Sequence, residues 1–240
     1  MLKSYFSSLY ENTAKNSGIA AESMLEPDNK AVLLDCGCWG GINTKKFGGI
    51  IGTKFLHGIE LNKNKGKEAQ KNGIKVKIAD LNKKLPYNGH TFDVIIVYHV
   101  IEHLVNVRLF VSELYRILKK EGYVIIGTPN LASWHNVFAL FIGIQPFSGP
   151  TIKPDYKSDC GIVKELNKAR MKKVFSEESE TLDHVKVMTT KALIGLLKDF
   201  DFKIEELKGF GYYPFPPFIS KQLSKIDVYH SHYIVVKARK

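Results

Sequence analysis

Three carboxylates stand at the ends of apolar runs in the sequence. Asp35 closes "AVLLD", Glu60 closes "FLHGIE" and Asp80 closes "IKVKIAD". If these runs are parallel strands of an open α/β sheet, the three side chains lie outside the carboxyl ends of the strands, where such sheets bind ligands. Glu60, 25 residues after Asp35, is then well placed to accept hydrogen bonds from a ribose diol, and Asp80 suits an adenine amino group.

The turn that follows Asp35 is rich in glycine, and two classes of ligand could bind to it. Gly37, Gly40 and Gly41 would let the backbone approach a bound molecule closely, as in a dinucleotide-binding dehydrogenase. However, the carboxylate of Asp35 at the head of the turn would repel the two charges of a pyrophosphate. A ligand with a free amino group and a sulfonium cation would tolerate or exploit that acid.

The elements that position these residues alternate along the chain. Apolar runs bounded by turn residues predict strands at 31–37, 55–61, 74–80, 92–99, 123–129, 202–210 and 232–239. Runs such as "VIIVY" are apolar without alternation, which is typical of a strand covered on both faces. Helices are predicted within the first 25 residues, at 104–118, where "KKEG" would end the helix, and at 189–200. The alternation favours an open, doubly wound α/β sheet.

The alternation is interrupted after Pro129. Residues 131–185 contain an aromatic-rich helix, "LASWHNVFALFIG", a loop with three prolines and a stretch of mixed charge. Because the helix and strand pattern then resumes, we interpret residues 131–185 as an inserted lid and residues 1–240 as a single domain.

Composition narrows the protein class. The chain has 240 residues, of which 44% are hydrophobic, but no apolar run of about 18 residues and no secretory apolar stretch at the start. We therefore expect a cytoplasmic protein without membrane insertion. Cys36, Cys38 and Cys160 are too few for a disulfide framework, and we expect Cys36 and Cys38 to pack beside the turn rather than bind zinc.

The net charge of +11 raises nucleic acid as a partner, but its distribution does not favour one. Lysine supplies 31 of the 35 positive charges, whereas base and phosphate recognition usually enlists arginine. The excess is spread evenly over both halves of the chain, and its densest run, residues 62–77, is interpreted as a solvated helix and its exit turn.

Four ordered segments resemble the class I methyltransferases that use S-adenosylmethionine. They are "VLLDCGCWGG", "GIELN", "IAD" and "FDVIIVYHVIEHL", and "LYRILKKEGYVIIGTPN" is similar to the helix and strand that follow in that family. The segment "NLASWHNVFALFIGIQPF" and the later "DHVKVMTTKALIGLLKDFDFKI" are similar to a small-molecule-type subgroup. The likeness covers about residues 30–210. It implies a Rossmann-like, mostly parallel seven-stranded sheet with the late strand "HYIVVKAR" inserted antiparallel.

The resemblance also implies which residues bind the cofactor. By position they are Asp35, Cys36, Gly37, Cys38, Gly41, Glu60, Leu61, Asp80, Leu81, Tyr98 and His99. The turn from Asp35 to Gly41 would surround the methionine part, Glu60 the ribose, and Leu61, Asp80 and Leu81 the adenine. Tyr98 and His99 would line the floor near the sulfonium. The family commonly has glycine in place of Trp39, so this side chain must point away from the ligand or stack on it.

Methyl transfer is an in-line displacement for which the protein supplies alignment and, for a hydroxyl acceptor, a base. Four histidines, His99, His103, His135 and His184, are candidates, and we select His99 and His184 as the predicted catalytic residues. Related methyltransferases that act on phenolic rings or RNA ends sometimes carry Glu-x-x-Glu-His here and bind a divalent metal.

This sequence matches that metal-binding pattern only in part. Glu102 and His103 are present, but His99 stands in place of the first Glu. A metal site completed by His184 is an alternative. We favour the interpretation in which Glu102 and His103 cap the next helix and brace the turn, and we predict no metal.

Aromatic residues surround the expected acceptor mouth. The lid contributes Trp134, His135, Phe138, Phe141 and Phe147, and "GFGYYPFPPF" (209–218) offers a second wall. These residues suggest a partly apolar or ring-bearing substrate. The sequence therefore predicts S-adenosylmethionine-dependent methylation of a small-molecule or sugar- or lipid-linked acceptor on oxygen, nitrogen or carbon. The alternatives are an RNA methyltransferase and a non-enzymatic nucleotide-binding protein.

Overall fold

The computed structural model describes residues 2–150 and 184–240. Its strands are β1 (Val32–Cys36), β2 (Phe55–Glu60), β3 (Lys75–Ile78), β4 (Phe92–Tyr98), β5 (Leu118–Pro129), β6 (Lys203–Phe210) and β7 (Tyr233–Arg239). Its helices are α1 (Leu2–Ser23), α2 (Ile42–Ile51), α3 (Lys63–Lys71), α4 (Val107–Ile117), α5 (Trp134–Phe141), α6 (Thr190–Lys198) and α7 (Pro217–Ile226). Short 3-10 turns cover Ile101–His103 and Val228–His230. Cys160 and most of the charged part of the predicted lid lie outside the described residues.

Within these ranges the strands form a seven-stranded sheet in the order β3-β2-β1-β4-β5-β7-β6. The pairs from β3 to β5 are parallel, whereas β7 runs antiparallel to both β5 and β6. The predicted doubly wound, mostly parallel sheet with an antiparallel last strand is confirmed. Successive strands are added towards one edge of the sheet from β1 to β3 and towards the other edge from β4 onwards. At this switch point a crevice forms outside the carboxyl ends of the parallel strands β1 and β4.

Both faces of the sheet are covered, as the unbroken apolar runs predict. Along β4, Ile95 and Val97 face a core that contains α4 and α6. Their neighbours Val94 and Ile96 face the opposite core, which α1 and α2 complete. All four side chains are almost fully buried. The central strands are therefore held rigidly, and the residues at their carboxyl ends are fixed with them.

The end of α4 differs from the prediction. The helix ends at Ile117, and "KKEG" lies in β5 instead of closing the helix. The pairing of β4 with β5 is irregular there, since Phe92 pairs with Leu118 but Val94 pairs with Tyr123. Burial of Leu118 in the core and the 2.7 Å ion pair between Lys119 and Asp93 hold the segment on the sheet. Tertiary contacts thus override the helix-ending pattern.

Helix α7 was not predicted, although Ile219, Leu223 and Ile226 follow a helical spacing and Pro217 stands at its start. The expected charged helix, in contrast, is confirmed as α3, which Asn62 caps by accepting from the amides of Asn64 and Lys65. Among the described helices, none combines the length and the apolar character that crossing a bilayer requires.

Candidate functional site

Asp35 lies at the end of β1 and is almost completely buried. The hydroxyl of Thr44, in the first turn of α2, donates a 2.6 Å hydrogen bond to its Oδ2. Burial, assisted by the nearby charge of Glu60 and opposed by the Thr44 hydrogen bond, raises the pKa of Asp35 to about 7. The carboxyl group therefore holds its proton more firmly than an exposed Asp does, and a cation placed beside it would favour the charged form.

Two of the predicted turn glycines are required by the backbone. Gly37 has φ of +77°, and a Cβ there would come within 2.6 Å of Val100 Cγ2. Gly41, which starts α2, has φ of +83°, and its Cβ would come within 2.2 Å of Ile74 Cδ1. Both conformations are ones that residues with a side chain rarely adopt. The turn is thus a tight connection between β1 and α2 that depends on glycine.

The amides of Gly37 and Cys38 are used within the protein. They donate to the carbonyl of Ile59 in β2, at 2.8 and 3.1 Å. These bonds fix the turn to the second strand. The predicted contribution of the Cys38 backbone to a ligand therefore falls on atoms other than its N–H group.

Cys36 and Cys38 are free and buried, as expected. Cys36 lies in the core of the sheet, and Cys38 packs with Ala69 and Ile74. Burial raises the pKa of both thiols, that of Cys38 to about 12 and that of Cys36 well above its ordinary value. Both thiols thus stay protonated and act as small apolar side chains. Cys36 offers a ligand only its backbone.

Trp39 takes the place where the family commonly has glycine, and it adopts a left-handed conformation with φ of +48°. Its amide donates a 2.9 Å hydrogen bond to Glu60 Oε2. The side chain is 41% exposed, and Lys65 Nζ lies 5.1 Å from the ring centroid. Tryptophan is therefore accommodated with its ring against α3 at the surface, while the Glu60 carboxylate holds the backbone.

Glu60 is buried at the end of β2, and backbone donors orient its carboxylate. Oε1 accepts from the amide of Asn62 and Oε2 from the amide of Trp39, both at 2.9 Å. Each oxygen has a second lone-pair site, so the group can still accept a pair of hydroxyl donors. Leu61, next in the chain, is 53% exposed and can flank a bound ring.

Asp80 follows the end of β3 in a loop that is fixed on both sides. Its Oδ1 accepts hydrogen bonds from the backbone and side-chain amides of Asn82, at 2.9 and 3.1 Å. Asn82 Oδ1 in turn accepts from the amides of Val105 and Asn106. Leu81 is partly buried against the core. Asn82 thus holds the loop that carries Asp80 and Leu81 after β3, and their contact with an adenine stays a prediction.

Tyr98 and His99 point to different neighbours at the end of β4. The Tyr98 hydroxyl lies 2.7 Å from Ser17 Oγ of α1, and its ring packs against the core under α1. Burial raises the pKa of this hydroxyl. His99 has φ of +55° and contacts the ring of Tyr233 edge-on, with 4.9 Å between ring centroids. Tyr98 therefore joins α1 to the sheet, whereas the His99 ring remains partly exposed.

Glu102 is fully buried below His99. Its Oε1 lies 3.3 Å from His99 Nδ1, and its Oε2 accepts a 3.0 Å hydrogen bond from the hydroxyl of Thr128. Burial raises the pKa of Glu102, but the hydrogen bond from His99 and the charges of His99 and His103 outweigh that effect and lower it. The ionised carboxylate can only accept hydrogen bonds, so it keeps the proton of His99 on Nδ1 and leaves Nε2 as a basic nitrogen.

His103 and His184 form a second grouping around Glu102. Their ring centroids are 5.0 Å apart, and His184 Nδ1 lies 3.1 Å from the carbonyl of Ser148. One ligand atom from each of Glu102, His103 and His184 lies within 4.8 Å of the others, a spacing at which a divalent cation could be held. The structure thus brings together the three residues of the metal alternative.

The prediction that Glu102 and His103 cap the next helix is wrong. Helix α4 begins at Val107 after Asn106, so neither Glu102 nor His103 caps it. Instead, the carbonyl of Glu102 accepts from the amides of Val185 and Lys186 at 2.8 and 3.0 Å. Glu102 therefore joins the 3-10 turn after β4 to the segment that returns from the predicted lid.

Several residues that hold the site were missed by sequence reasoning. They are Ser17, Thr44, Asn82, Thr128 and Tyr233. Each contacts a predicted site residue through its side chain. Thr44 and Asn82 are close in sequence to the residues they contact, nine residues from Asp35 and two from Asp80. The other three are distant in sequence from their partners.

The aromatic residues of the lid divide into two groups. His135 lies among the rings of Phe147, Tyr213 and His232, with centroid distances of 5.8, 5.2 and 4.6 Å. Phe138 and Phe141, in contrast, are 61% and 86% exposed. The lid and the second aromatic segment therefore meet through His135, while the outer face of α5 points to solvent.

The chain is similar to known proteins in sequence and in fold. Residues 34–126 match the family model described as "Methyltransferase domain". The chain is 34% identical over 87 residues to an uncharacterised protein of Methanocaldococcus jannaschii, covering 36% of this chain and 41% of that protein. It is 28% identical over 188 residues to the ubiquinone biosynthesis O-methyltransferase of Rickettsia felis, covering 78% and 66% of the two chains.

The chain spans about half the length of most of the curated relatives that it matches. Among solved structures, an S-adenosylmethionine-dependent methyltransferase from Mesorhizobium loti superposes with a TM-score of 0.61 at 17% sequence identity. The superposition covers 92% of this chain and 96% of that one. At this identity the likeness establishes a common fold.

Proposed function

We propose that the chain, whose residues 34–126 match the methyltransferase family model, is a class I S-adenosylmethionine-dependent methyltransferase that transfers a methyl group to a small-molecule acceptor in the cytoplasm. The observation that carries the proposal is the set of carboxylates at neighbouring strand ends. Asp35, Glu60 and Asp80 meet the crevice around a glycine turn that fits a cationic amino-acid group better than a pyrophosphate.

The proposed cofactor contacts follow from the geometry of these groups. Asp35 would face the α-amino group of the methionine part, whose charge favours ionisation of the buried carboxyl. Glu60, with two oxygens held by backbone amides, would accept from the ribose hydroxyls. Asp80 and Leu81 would contact the adenine. When bound, S-adenosylmethionine supplies a methyl group on a sulfonium that leaves as a neutral thioether.

We assign the role of acceptor-side base to His99. With Nδ1 directed to Glu102, Nε2 is the atom that takes the proton as a hydroxyl of the acceptor attacks the methyl carbon. The buried carboxylate stabilises the resulting imidazolium, so the proton transfer needs no further group. His184 remains a second candidate, because its Nδ1 faces the Ser148 carbonyl and its other nitrogen is the basic one in the neutral ring.

The acceptor is proposed to be a ring-bearing or lipid-linked small molecule that is methylated on oxygen. Two features support this class. A base is required for a hydroxyl but not for an already ionised or strongly nucleophilic atom. Ring contacts lead from His99 through Tyr233 and His232 to His135 of α5 and Tyr213 of residues 209–218. The relatives named ubiquinone biosynthesis O-methyltransferase point in the same direction.

Calorimetric titration of the wild-type protein with S-adenosylmethionine, S-adenosylhomocysteine and NAD tests the cofactor. We expect both sulfur compounds to bind and NAD to give no heat of binding. Binding of NAD without S-adenosylhomocysteine would overturn the proposal. A screen with labelled methyl groups then tests the acceptor class. Labelling of RNA in preference to ring-bearing hydroxyl compounds would contradict the proposed acceptor while leaving the cofactor assignment intact.

A further inference from the structure

Helix α5 has the opposite polarity to an ordinary surface helix. Its buried positions include Asn136, whose side chain donates to the carbonyl of Asn130 and accepts from the amide of Ser148, both at 3.1 Å. Its outer positions are apolar and exposed, namely Trp134 (48%), Val137 (38%), Phe138 (61%) and Phe141 (86%). A helix that faces water normally places its apolar side against the protein. The outer face of α5 is therefore built for surroundings other than bulk water.

Helix α7 repeats this inversion and adds positive charge. Its buried positions are Ser220 and Ser224, and Ser220 Oγ accepts from the amide of Tyr212 at 2.8 Å. Phe218 and Ile226 are 72% and 83% exposed, and two lysines of the same helix are exposed as well. The fully buried positions of α7 are thus serines, Ile219 and Leu223 are partly buried, and Phe218 and Ile226 remain outside.

The two helices are linked through the turn that follows α7, while Phe218, Lys221 and Lys225 of α7 also border a groove against α1. The ring of Trp134 stacks on His230, with 4.6 Å between centroids and 26° between planes. His230 lies in the 3-10 turn that directly follows α7, beside Tyr229, which is 41% exposed. We name the exposed side chains of α5 and of residues 215–229 the aromatic–basic face. Both helices follow the carboxyl ends of their strands, β5 and β6, so this face stands on the same edge of the sheet as the crevice.

The exposed lysines give the aromatic–basic face a positive charge, and its one acid, Asp227, is paired with His230 at 2.7 Å. Residues 131–150 and 209–226 contain no Asp or Glu. Lys221 and Lys225 project from α7, and Lys191 lies over the ring of Tyr229, 5.5 Å from its centroid. Aromatic and aliphatic side chains mixed with lysines are the composition by which helices lie in the interface of an anionic bilayer.

We propose that the aromatic–basic face docks the protein on the surface of a membrane that contains anionic phospholipids. The apolar side chains enter the boundary between headgroups and acyl chains, and the lysines meet the lipid phosphates. A second copy of the chain fits the face less well, since a symmetric contact would bring the lysines of both copies together. Docking does not require a membrane span, and none is present among the described helices. It also does not depend on the proposed catalytic activity.

Vesicle flotation measures this proposal directly on the full chain. Vesicles of phosphatidylcholine alone are compared with vesicles that contain about one third phosphatidylglycerol. We expect the protein to float with the anionic vesicles and to be released as salt concentration rises, because the lysine contribution is screened. The K221Q/K225Q variant should lower the partition coefficient by roughly fivefold for each lysine, and F138S/F141S by at least tenfold.

Matched controls replace similar side chains elsewhere on the surface. Phe55, at the opposite end of β2, is 50% exposed, and Lys67 and Lys71 are exposed on α3. The F55S and K67Q/K71Q variants should float like the wild type. Equal flotation of all variants, or no flotation of the wild type with either vesicle, would overturn the proposal and would favour a protein partner for this face.

Trp134 provides a second readout that does not depend on the amount of protein recovered. The chain has two tryptophans, so the W39F variant reports on Trp134 alone. Brominated lipids should quench its fluorescence and the emission should shift to shorter wavelength when anionic vesicles are added. Binding without quenching would place another surface on the bilayer and contradict the assignment. Circular dichroism of each variant shows whether it has folded, and calorimetry with S-adenosylhomocysteine is measured separately from membrane binding.

Discussion

The two sides of the crevice are held in place by different interactions. On the side of β1 and β2, a short turn with left-handed glycines is joined to the neighbouring strand by backbone hydrogen bonds, and its carboxylates are buried and oriented. On the side of β5, β6 and β7, helices α5 and α7 bury polar side chains and expose apolar ones. The first side is fixed by its own backbone. The second is shaped for what it contacts outside the protein.

This difference indicates how the work is divided. A cofactor that is always the same suits a rigid site whose groups are preorganised, because no binding energy is then lost in ordering them. Acceptor choice and membrane contact are expected to reside on the second side, where side chains are free to vary without disturbing the sheet. Substitutions on one side should therefore leave the properties of the other unchanged, and each prediction below can break that separation.

The largest effect is expected at His99, where the two sides meet. His99→Asn keeps a residue that tolerates φ of +55° but removes the base, so kcat should fall about 100-fold or more. Affinity for S-adenosylhomocysteine should change little. With a phenolic acceptor the loss should shrink at high pH, where the hydroxyl ionises without help. Steady-state rates over a range of pH measure both effects.

The matched control is His90, which has the same φ of +55° and is exposed before β4, away from the crevice. His90→Asn should retain wild-type kcat. If His99→Asn were equally active, or if its rate loss were the same at every pH, His99 would have a structural role and His184 would become the stronger candidate.

The second effect concerns the cofactor side alone. Glu60→Ala removes two hydrogen bonds to the ribose, each worth about 1.5–3 kcal/mol when the acceptor is charged, so affinity for S-adenosylmethionine should fall about 100-fold or more. Calorimetry measures the dissociation constant. Glu68→Ala, which breaks only a surface ion pair with Lys65, should leave it unchanged.

If the two sides of the crevice are independent, F138S/F141S should bind the cofactor as tightly as the wild type does, because both side chains are exposed on α5. A loss of cofactor binding in that variant would show that the two sides are coupled. Retained affinity in Glu60→Ala would remove Glu60 from the cofactor site.

The same difference explains how far the sequence could predict the structure. Asp35, Gly37 and Gly41 are close in sequence, and their chemistry follows from backbone conformation and strand ends, so their arrangement was predictable. The strands were equally predictable, because a strand that is buried on both faces has an unbroken apolar run in the sequence. Where neighbours along the chain decide a structure, pattern is sufficient.

Contacts between distant segments could not be predicted in this way. The carboxylate of Glu102 is held by Thr128, and its backbone carbonyl by the amides of residues 185–186, which a linear pattern does not connect. Helix α7 was overlooked because its short apolar spacing follows a run of prolines and aromatic residues that was read as a loop segment, and its fully buried positions are serines. The end of α4 was wrong because Lys119 pairs with Asp93, 26 residues earlier, instead of ending the helix.

A third prediction concerns the stability of the ligand-free protein. The folded pKa of Asp35, about 7, lies above its unfolded value, so the folded state holds this proton between about pH 4 and 7. The contribution of Asp35 to stability is therefore greatest at low pH and is lost as pH rises through 7. Relative to wild type, Asp35→Asn should gain a few kcal/mol in free energy of unfolding between pH 5 and pH 8, since one pKa unit corresponds to about 1.4 kcal/mol.

Denaturant unfolding at several pH values measures this difference. Cofactor binding supplies an independent test, because the amino group of S-adenosylmethionine should release the proton of Asp35 near pH 6. Calorimetry in buffers of different ionisation enthalpy should detect close to one proton released by wild type and none by Asp35→Asn. Parallel stability curves for the two proteins would contradict the raised pKa of Asp35. Proton uptake on binding would contradict a cation beside Asp35.

The smallest expected effect tests the boundary between the two sides. Both oxygens of Glu102 are engaged, one with His99 and one with Thr128, so an ion held with His103 and His184 would have to compete with the contact that orients the proposed base. We therefore expect methyl transfer to be unchanged, within twofold, after treatment with a chelator and after addition of Mg²⁺, Mn²⁺ or Zn²⁺. Rates with and without each ion measure this. A chelator-sensitive rate that Zn²⁺ restores, together with its loss in His103→Ala, would replace the bracing role of Glu102 with metal binding and would make the junction of the two sides the reactive centre.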